Sequence, residues 1–139
     1  MRLIMNNIIK SIAFSLCLYL PSVLAGPAEI AREALNIQSV QFDSSTSTLT
    51  IVATRGDKVS NNQLVTSILL GYCDAVLSGD GDMQRVRTVN VINGNRSHGF
   101  SLSSSSRTCE EIDYDDIGDD EISKIIMSHA RPYNVQSLK

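Results

Sequence analysis

The chain has 139 residues, of which 12 are basic and 15 acidic, so its formal net charge is −3. This negative balance makes nucleic acid a poor partner, because binding to phosphates depends on clustered Lys and Arg. Aromatic residues make up 5% and tryptophan is absent, which argues against a carbohydrate site built from stacked rings. The length suits one domain with its own hydrophobic core.

The first 25 residues have the pattern of a secretory signal peptide. Arg2 and Lys10 give the positive n-region, residues 12–20 form an apolar h-region, and Ala25 ends a Val-Leu-Ala cleavage motif. The apolar run is too short to span a bilayer comfortably. Without Arg2 and Lys10, the 12 basic residues become 10 against 15 acidic ones, so the mature protein carries a net charge of −5.

Cleavage divides the chain into a signal peptide, 1–25, and one exported domain, 26–139, with a frayed tail after about residue 132. We expect the mature protein in the periplasm or secreted, without membrane insertion. An exported location also places its cysteines in an oxidising environment.

The cysteines predict one disulfide bond. Cys17 lies in the h-region, and the large Leu16 before it does not suit a lipoprotein signal peptidase, so Cys17 is expected to leave with the signal peptide. Cys73 and Cys109 remain, an even count that favours a bridge. Their wide spacing differs from the Cys-x-x-Cys pattern of a thiol redox pair.

The first half of the mature domain predicts a helix, a hairpin and a second helix. Apolar residues recur at helical spacing over 27–35, with proline in the first turn. Two alternating runs within 40–54, separated by four hydroxyl residues, are typical of a β-hairpin. Ser60 and Gln63 form a capping box before an apolar helix over 64–77, which we expect at the centre of the core.

The second half predicts another hairpin. Residues 86–92 are rich in β-branched side chains, and Asn93-Gly94 is typical of a two-residue type I′ turn. On the returning strand His98, Phe100 and Leu102 share one face. Residues 103–106, all serines, fit either a longer strand or a loop.

A last helix is expected over 120–130, stopped by Arg131-Pro132. The order α-β-β-α-β-β-α indicates an α+β fold: a small, mostly antiparallel sheet of about four strands, in two hairpins, with helices packed on one face.

A cluster of carboxylates precedes the last helix and is a candidate interaction face for a basic partner. We call this cluster the acidic face, and it consists of Asp113, Asp115, Asp116, Asp119 and Asp120. Charge reversal there is expected to weaken binding of such a partner.

The same segment only partly fits a calcium loop. On an EF-hand frame Asp113, Asp115 and Gly118 match, but Ile117 and Lys124 occupy positions that need oxygen ligands. A calcium loop of another type stays open as an alternative. Carboxylates at the start of a helix are otherwise explained by the helix dipole, so no metal or other cofactor is predicted.

The two histidines are the candidates for a general base. His98 lies on the opposite strand face from Ser97 and Ser101, so no nucleophile and base pair follows from the spacing. His129 lies in the last turn of a helix, where its charge suits the dipole. No hydrolase, zinc-protease or phosphate-loop motif is present, so no catalytic residue is predicted and a non-enzyme is favoured.

These features favour a small exported, disulfide-stapled binding module with a protein partner, such as an accessory subunit of an envelope or secretion assembly or an inhibitor-type protein. Its working surface is expected at the acidic face or at a strand edge of the hairpins 40–54 and 86–102. The alternative is an exported hydrolase or toxin whose site assembles around His98 from distant segments.

Overall fold

The computed structural model describes residues 26–37, 39–103, 105–112 and 116–133. The elements in the first half are α1 (Pro27–Leu35), β1 (Val40–Asp43), β2 (Thr48–Thr54) and α2, which comprises Asn61–Ile68, a π-helical turn Leu69–Cys73 and a last turn Asp74–Leu77. The second half contains a 3₁₀ turn (Met83–Arg85), β3 (Thr88–Asn93), β4 (Gly99–Ser103), α3 (Ser105–Glu111), α4 (Asp119–His129) and β5 (Ala130–Pro132). The predicted signal peptide lies outside the described residues.

The strands form one sheet in the order β1-β2-β3-β4-β5. β2 and β3 are parallel, because α2 carries the chain between them, and the other three pairings are antiparallel. The predicted α+β fold with a mostly antiparallel sheet is therefore confirmed, with one strand more than expected.

The additional strand is β5. Arg131-Pro132 does end the last helix, but the chain then continues alongside β4. The Tyr133 N–H donates to the Gly99 carbonyl at 2.9 Å and extends this pairing by one residue. A three-residue strand has too little alternation to be recognised from its sequence.

The helix starts follow the predicted local chemistry. Pro27 is in the first turn of α1. At α2 the Ser60 hydroxyl accepts from the Gln63 N–H at 3.1 Å, and the Gln63 side chain accepts from the Ser60 N–H at 2.8 Å. Both halves of the predicted capping box are present.

The turn between β3 and β4 differs from the prediction. The Asn93 N–H donates to the His98 carbonyl at 3.0 Å, so four residues, 94–97, form the loop instead of two. The left-handed residue is Arg96, with φ 61°, and not Asn93 or Gly94. The type I′ prediction was wrong because Asn93 is fully buried and uses its side chain to hold the loop.

The serine run 103–106 also differs from the longer strand or loop that was expected. β4 ends at Ser103 and a helix, α3, begins at Ser105, although serine is a weak helix former. Tertiary contacts explain this: the buried Ser105 hydroxyl donates to the Tyr72 hydroxyl at 2.9 Å. The predicted disulfide joins Cys73 in α2 to Cys109 in α3, with the Cα atoms 5.2 Å apart, and so fixes α3 to the central helix.

The core lies between the helices and one face of the sheet. Its largest fully buried side chains include Leu49, Ile51, Leu64, Ile68, Tyr72, Met83, Leu102 and Ile126. Burying these apolar side chains is the main stabilising contribution to the fold. In the described part of the chain, none of the helices has the length and hydropathy to cross a bilayer.

Candidate functional site on the open face of the sheet

The second face of the sheet is polar. The strand register aligns one side chain from each strand in a continuous row, which consists of Gln41, Thr50, Asn90, Ser101 and Arg131. A second row beside it consists of Asp43, Thr48, Thr88 and Ser103. We call these two rows the polar face.

Strand alternation produces this face directly. Leu49 and Ile51 of β2 point into the core and are fully buried, so Thr48 and Thr50 point the other way and are half-buried. Within the face the Ser101 hydroxyl donates to the Asn90 side-chain oxygen at 2.6 Å, which joins β3 and β4. The polar face therefore consists of hydrogen-bonded strands whose polar side chains reach solvent and can form hydrogen bonds.

The β1 edge offers little room for an added strand. The Val52 N–H donates to the Ser39 carbonyl at 2.9 Å, so in this antiparallel register the backbone groups of Val40 and Phe42 point outwards. Arg32 of α1 already donates to the Val40 carbonyl at 2.7 Å. A helix side chain therefore caps part of this short edge, a known way of blocking strand addition.

The other edge of the sheet is also protected. β5 covers the outer side of β4, so the edge expected from the hairpin 86–102 is paired within the chain. In β5 the Ala130 N–H donates to the Ile126 carbonyl at the end of α4, and Pro132 has no N–H. Few backbone N–H groups at either edge are therefore free to pair with an added strand, which was one of the two expected binding modes.

The loop 94–97 is held rigidly by one buried side chain. The Asn93 amide oxygen accepts from the Ser97 and His98 N–H groups, both at 3.0 Å. Its amide nitrogen donates to the Asp57 carbonyl at 2.9 Å and to the Ser97 hydroxyl at 3.0 Å. These four bonds satisfy the buried amide and fix the loop that carries Arg96.

Arg96 borders two adjoining depressions of about 300 and 340 Å³ in this part of the surface. Both are lined by Gln41 and Thr50 of the polar face, and the larger one also by Asn90 and Tyr133. The residues that line both depressions provide a hydroxyl and an amide group, and the Arg96 guanidinium provides a positive charge.

The charges are arranged along the strands. Among the described residues Arg96 is exposed and forms no ion pair. At the opposite end of β1 lies Asp43, whose pKa is lowered because the Ser45 hydroxyl and N–H donate to its carboxylate. A ligand crossing the depressions therefore meets a cation at one end and an anion at the other.

The acidic face is only partly described. Asp113 and Asp115 lie outside the described residues, while Asp116, Asp119 and Asp120 are exposed at the start of α4 and do not belong to the polar face. Within the described ranges no group of three His, Cys, Asp or Glu side chains could hold a metal ion.

The histidines have structural partners. His98 accepts the Val59 N–H through Nδ1 at 3.0 Å and packs edge-on against Phe100, with ring centroids 5.8 Å apart. It contacts no serine hydroxyl or carboxylate in the described structure. His129 ends α4, as expected, and its Nε2 lies 2.7 Å from a carboxylate oxygen of Glu111 in α3, a partner that the sequence did not indicate.

The polar face and Arg96 were not recognised from the sequence. The alternation of polar and apolar residues did indicate that one strand face is exposed to solvent. The row of polar side chains is completed by the parallel pairing of β2 with β3, however, and this pairing depends on tertiary structure. No family model matches the chain, and neither a curated protein nor a solved structure is similar to it.

Proposed function

We propose that this protein is a small exported binding module that recognises a protein partner through the polar face of its sheet. The observation that carries the proposal is the unbroken cross-strand row from Gln41 to Arg131, bordered by Arg96. An accessory subunit of an envelope assembly, or an inhibitor-type protein, would use such a surface.

The edges and the histidines support this choice by elimination. Arg32 caps the Val40 carbonyl at one sheet edge and β5 covers β4 at the other, whereas the polar face has exposed groups able to donate and accept hydrogen bonds. The alternative hydrolase or toxin around His98 is not favoured, because Nδ1 of His98 is engaged by a backbone N–H. The acidic face remains a second proposed surface for a basic partner.

The experiment is a quantitative pull-down from envelope extract of the native host, using the tagged, mature, oxidised protein. Thr50→Glu places a charge at the centre of the polar face, and Thr66→Glu makes the same change at an exposed position of α2. We expect a stoichiometric partner with the wild type and with Thr66→Glu, and its loss with Thr50→Glu.

Thermal melts verify that both variants are folded, and Cys73→Ser/Cys109→Ser serves as the control for loss of the fold. Equal recovery of the partner by Thr50→Glu, or no stoichiometric partner for the wild type, would contradict the proposal. If charge reversal of Asp116, Asp119 and Asp120 abolished partner binding and Thr50→Glu did not, the binding surface would be the acidic face instead.

A further inference from the structure

Arg96 lies in the loop 94–97, where its N–H donates to the Asn93 carbonyl at 3.1 Å. Its φ of 61° is in the left-handed region, which Gly or Asn occupies more readily, and an arginine there costs conformational energy. Its side chain is exposed and forms no ion pair among the described residues, so no ion pair of Arg96 stabilises the fold. Residues other than glycine that are held in this region cluster at binding and active sites.

The groups around Arg96 have spare hydrogen-bonding capacity. In the described structure the Gln41 amide, the Thr50 hydroxyl and the Tyr133 hydroxyl bond to no protein group, and Asn90 uses only its side-chain oxygen, towards Ser101. These donors and acceptors are therefore available to a bound molecule.

We infer that Arg96 binds a carboxylate of the partner protein, which lies on a polar segment crossing Gln41, Thr50 and Asn90. This inference rests on the proposed function and specifies the chemistry of the partner. A guanidinium can bind a carboxylate through two parallel N–H donors, and the neighbouring hydroxyl and amide groups suit polar rather than apolar side chains.

Charge complementarity sets the direction of the bound segment. Two residues along a strand span about 7 Å, so Asp43 lies roughly 13 Å along β1 from Ser39. Asp43 lines the larger depression together with Arg96, whereas the smaller depression is lined by Ser39, Arg32 and Arg96. The ionised Asp43 repels a carboxylate at its own end of the face. A peptide is favoured over an acidic saccharide because, among the described residues, Tyr133 and Phe42 are the rings that border the larger depression, too few for sugar stacking.

The test is an NMR titration of the ¹⁵N-labelled, oxidised mature protein with two peptides, Ac-Ser-Glu-Ser-Glu-Ser-NH₂ and its glutamine counterpart Ac-Ser-Gln-Ser-Gln-Ser-NH₂. We expect the glutamate peptide to shift the amide signals of loop 94–97 and of Thr50, and the glutamine peptide to bind about tenfold more weakly. Arg96→Gln should reduce binding of the glutamate peptide by about tenfold, while Arg107→Gln, an exposed arginine of α3, leaves it unchanged.

The inference is overturned if the two peptides bind equally, if neither shifts these signals, or if Arg96→Gln binds like the wild type. A concentration-dependent dimer of the wild type that Arg96→Gln abolishes would also overturn it, because the carboxylate would then come from a second copy of this chain. None of these results decides the proposed function, since the pull-down with Thr50→Glu tests the polar face independently of the charge on the partner.

Discussion

Asn93, at the end of β3, and Arg96, in the loop that follows, contribute differently to the fold. Asn93 is buried and makes four hydrogen bonds, so its role lies within the fold. Arg96, three residues later, is exposed in a left-handed conformation and contributes no ion pair in the described structure. A residue of this kind is expected to improve binding at the expense of stability.

Arg96→Gly tests this separation through the free energy of unfolding. Relief of the left-handed strain, about 1 kcal/mol, outweighs the extra entropy that glycine gives the unfolded chain, so we expect a rise of about 0.5 kcal/mol. Arg107→Gly in α3 is the matched control and should lower the free energy of unfolding by roughly 1 kcal/mol. Urea denaturation measures both; an equal loss in the two variants would contradict the account of Arg96.

The buried Tyr72 makes the free energy of unfolding depend on pH in the alkaline range. Burial raises the pKa of its phenol above the ordinary value of about 10, although the hydrogen bond from the Ser105 hydroxyl partly opposes the shift. Because the unfolded chain loses this proton more easily than the folded one, its contribution to stability is complete below pH 10 and is lost as pH rises through the folded-state pKa.

Tyr72→Phe should therefore flatten the alkaline side of the stability profile. It removes the hydrogen bond to the Val86 carbonyl and the one from Ser105, so at neutral pH we expect a loss of about 2 kcal/mol. Urea unfolding at about pH 8 and about pH 11 gives the comparison. A variant that loses as much stability between these pH values as the wild type would show that Tyr72 is not the responsible group.

At the scale of elements, the local signals in the sequence were reliable except for the Asn93-Gly94 turn, and the non-local contacts left no signal. The capping box at Ser60, the proline at the start of α1 and the alternation in β1 and β2 each act within a few residues, and each prediction was confirmed. α3 and β5 depend instead on distant partners: the Tyr72 hydroxyl and the disulfide for α3, and the edge of β4 for β5. Such contacts override weak local propensity and leave no periodic pattern.

The disulfide is the strongest link between elements that the sequence did predict. It closes a segment of 36 residues, for which loop-closure entropy corresponds to about 4 kcal/mol. Cys73→Ser/Cys109→Ser should lower the free energy of unfolding by this amount, as measured by urea denaturation without reductant. A wild type that keeps its stability after full reduction would contradict the structural role of the bridge.

For the whole molecule, charge and topology favour the polar face over the sheet edges as the proposed binding surface. Exposed carboxylates are present at the start of α4, whereas Arg96 borders the polar face. Arg32 caps the Val40 carbonyl at one edge of the sheet and Pro132 lacks an N–H at the other, so each edge is partly blocked to an added strand. The row across five strands could not be predicted from the sequence, because it exists only once β2 and β3 pair in parallel.

The most direct measurement is site-specific photocrosslinking in the native host, with a photoreactive residue at Gln41 on the polar face or at Lys124 on α4. Both positions are exposed, and Lys124 lies on a helix away from the face. We predict one discrete protein adduct from position 41 and none from position 124. An adduct from position 124 alone, or none from position 41, would contradict the conclusion that the polar face of the sheet is the binding surface.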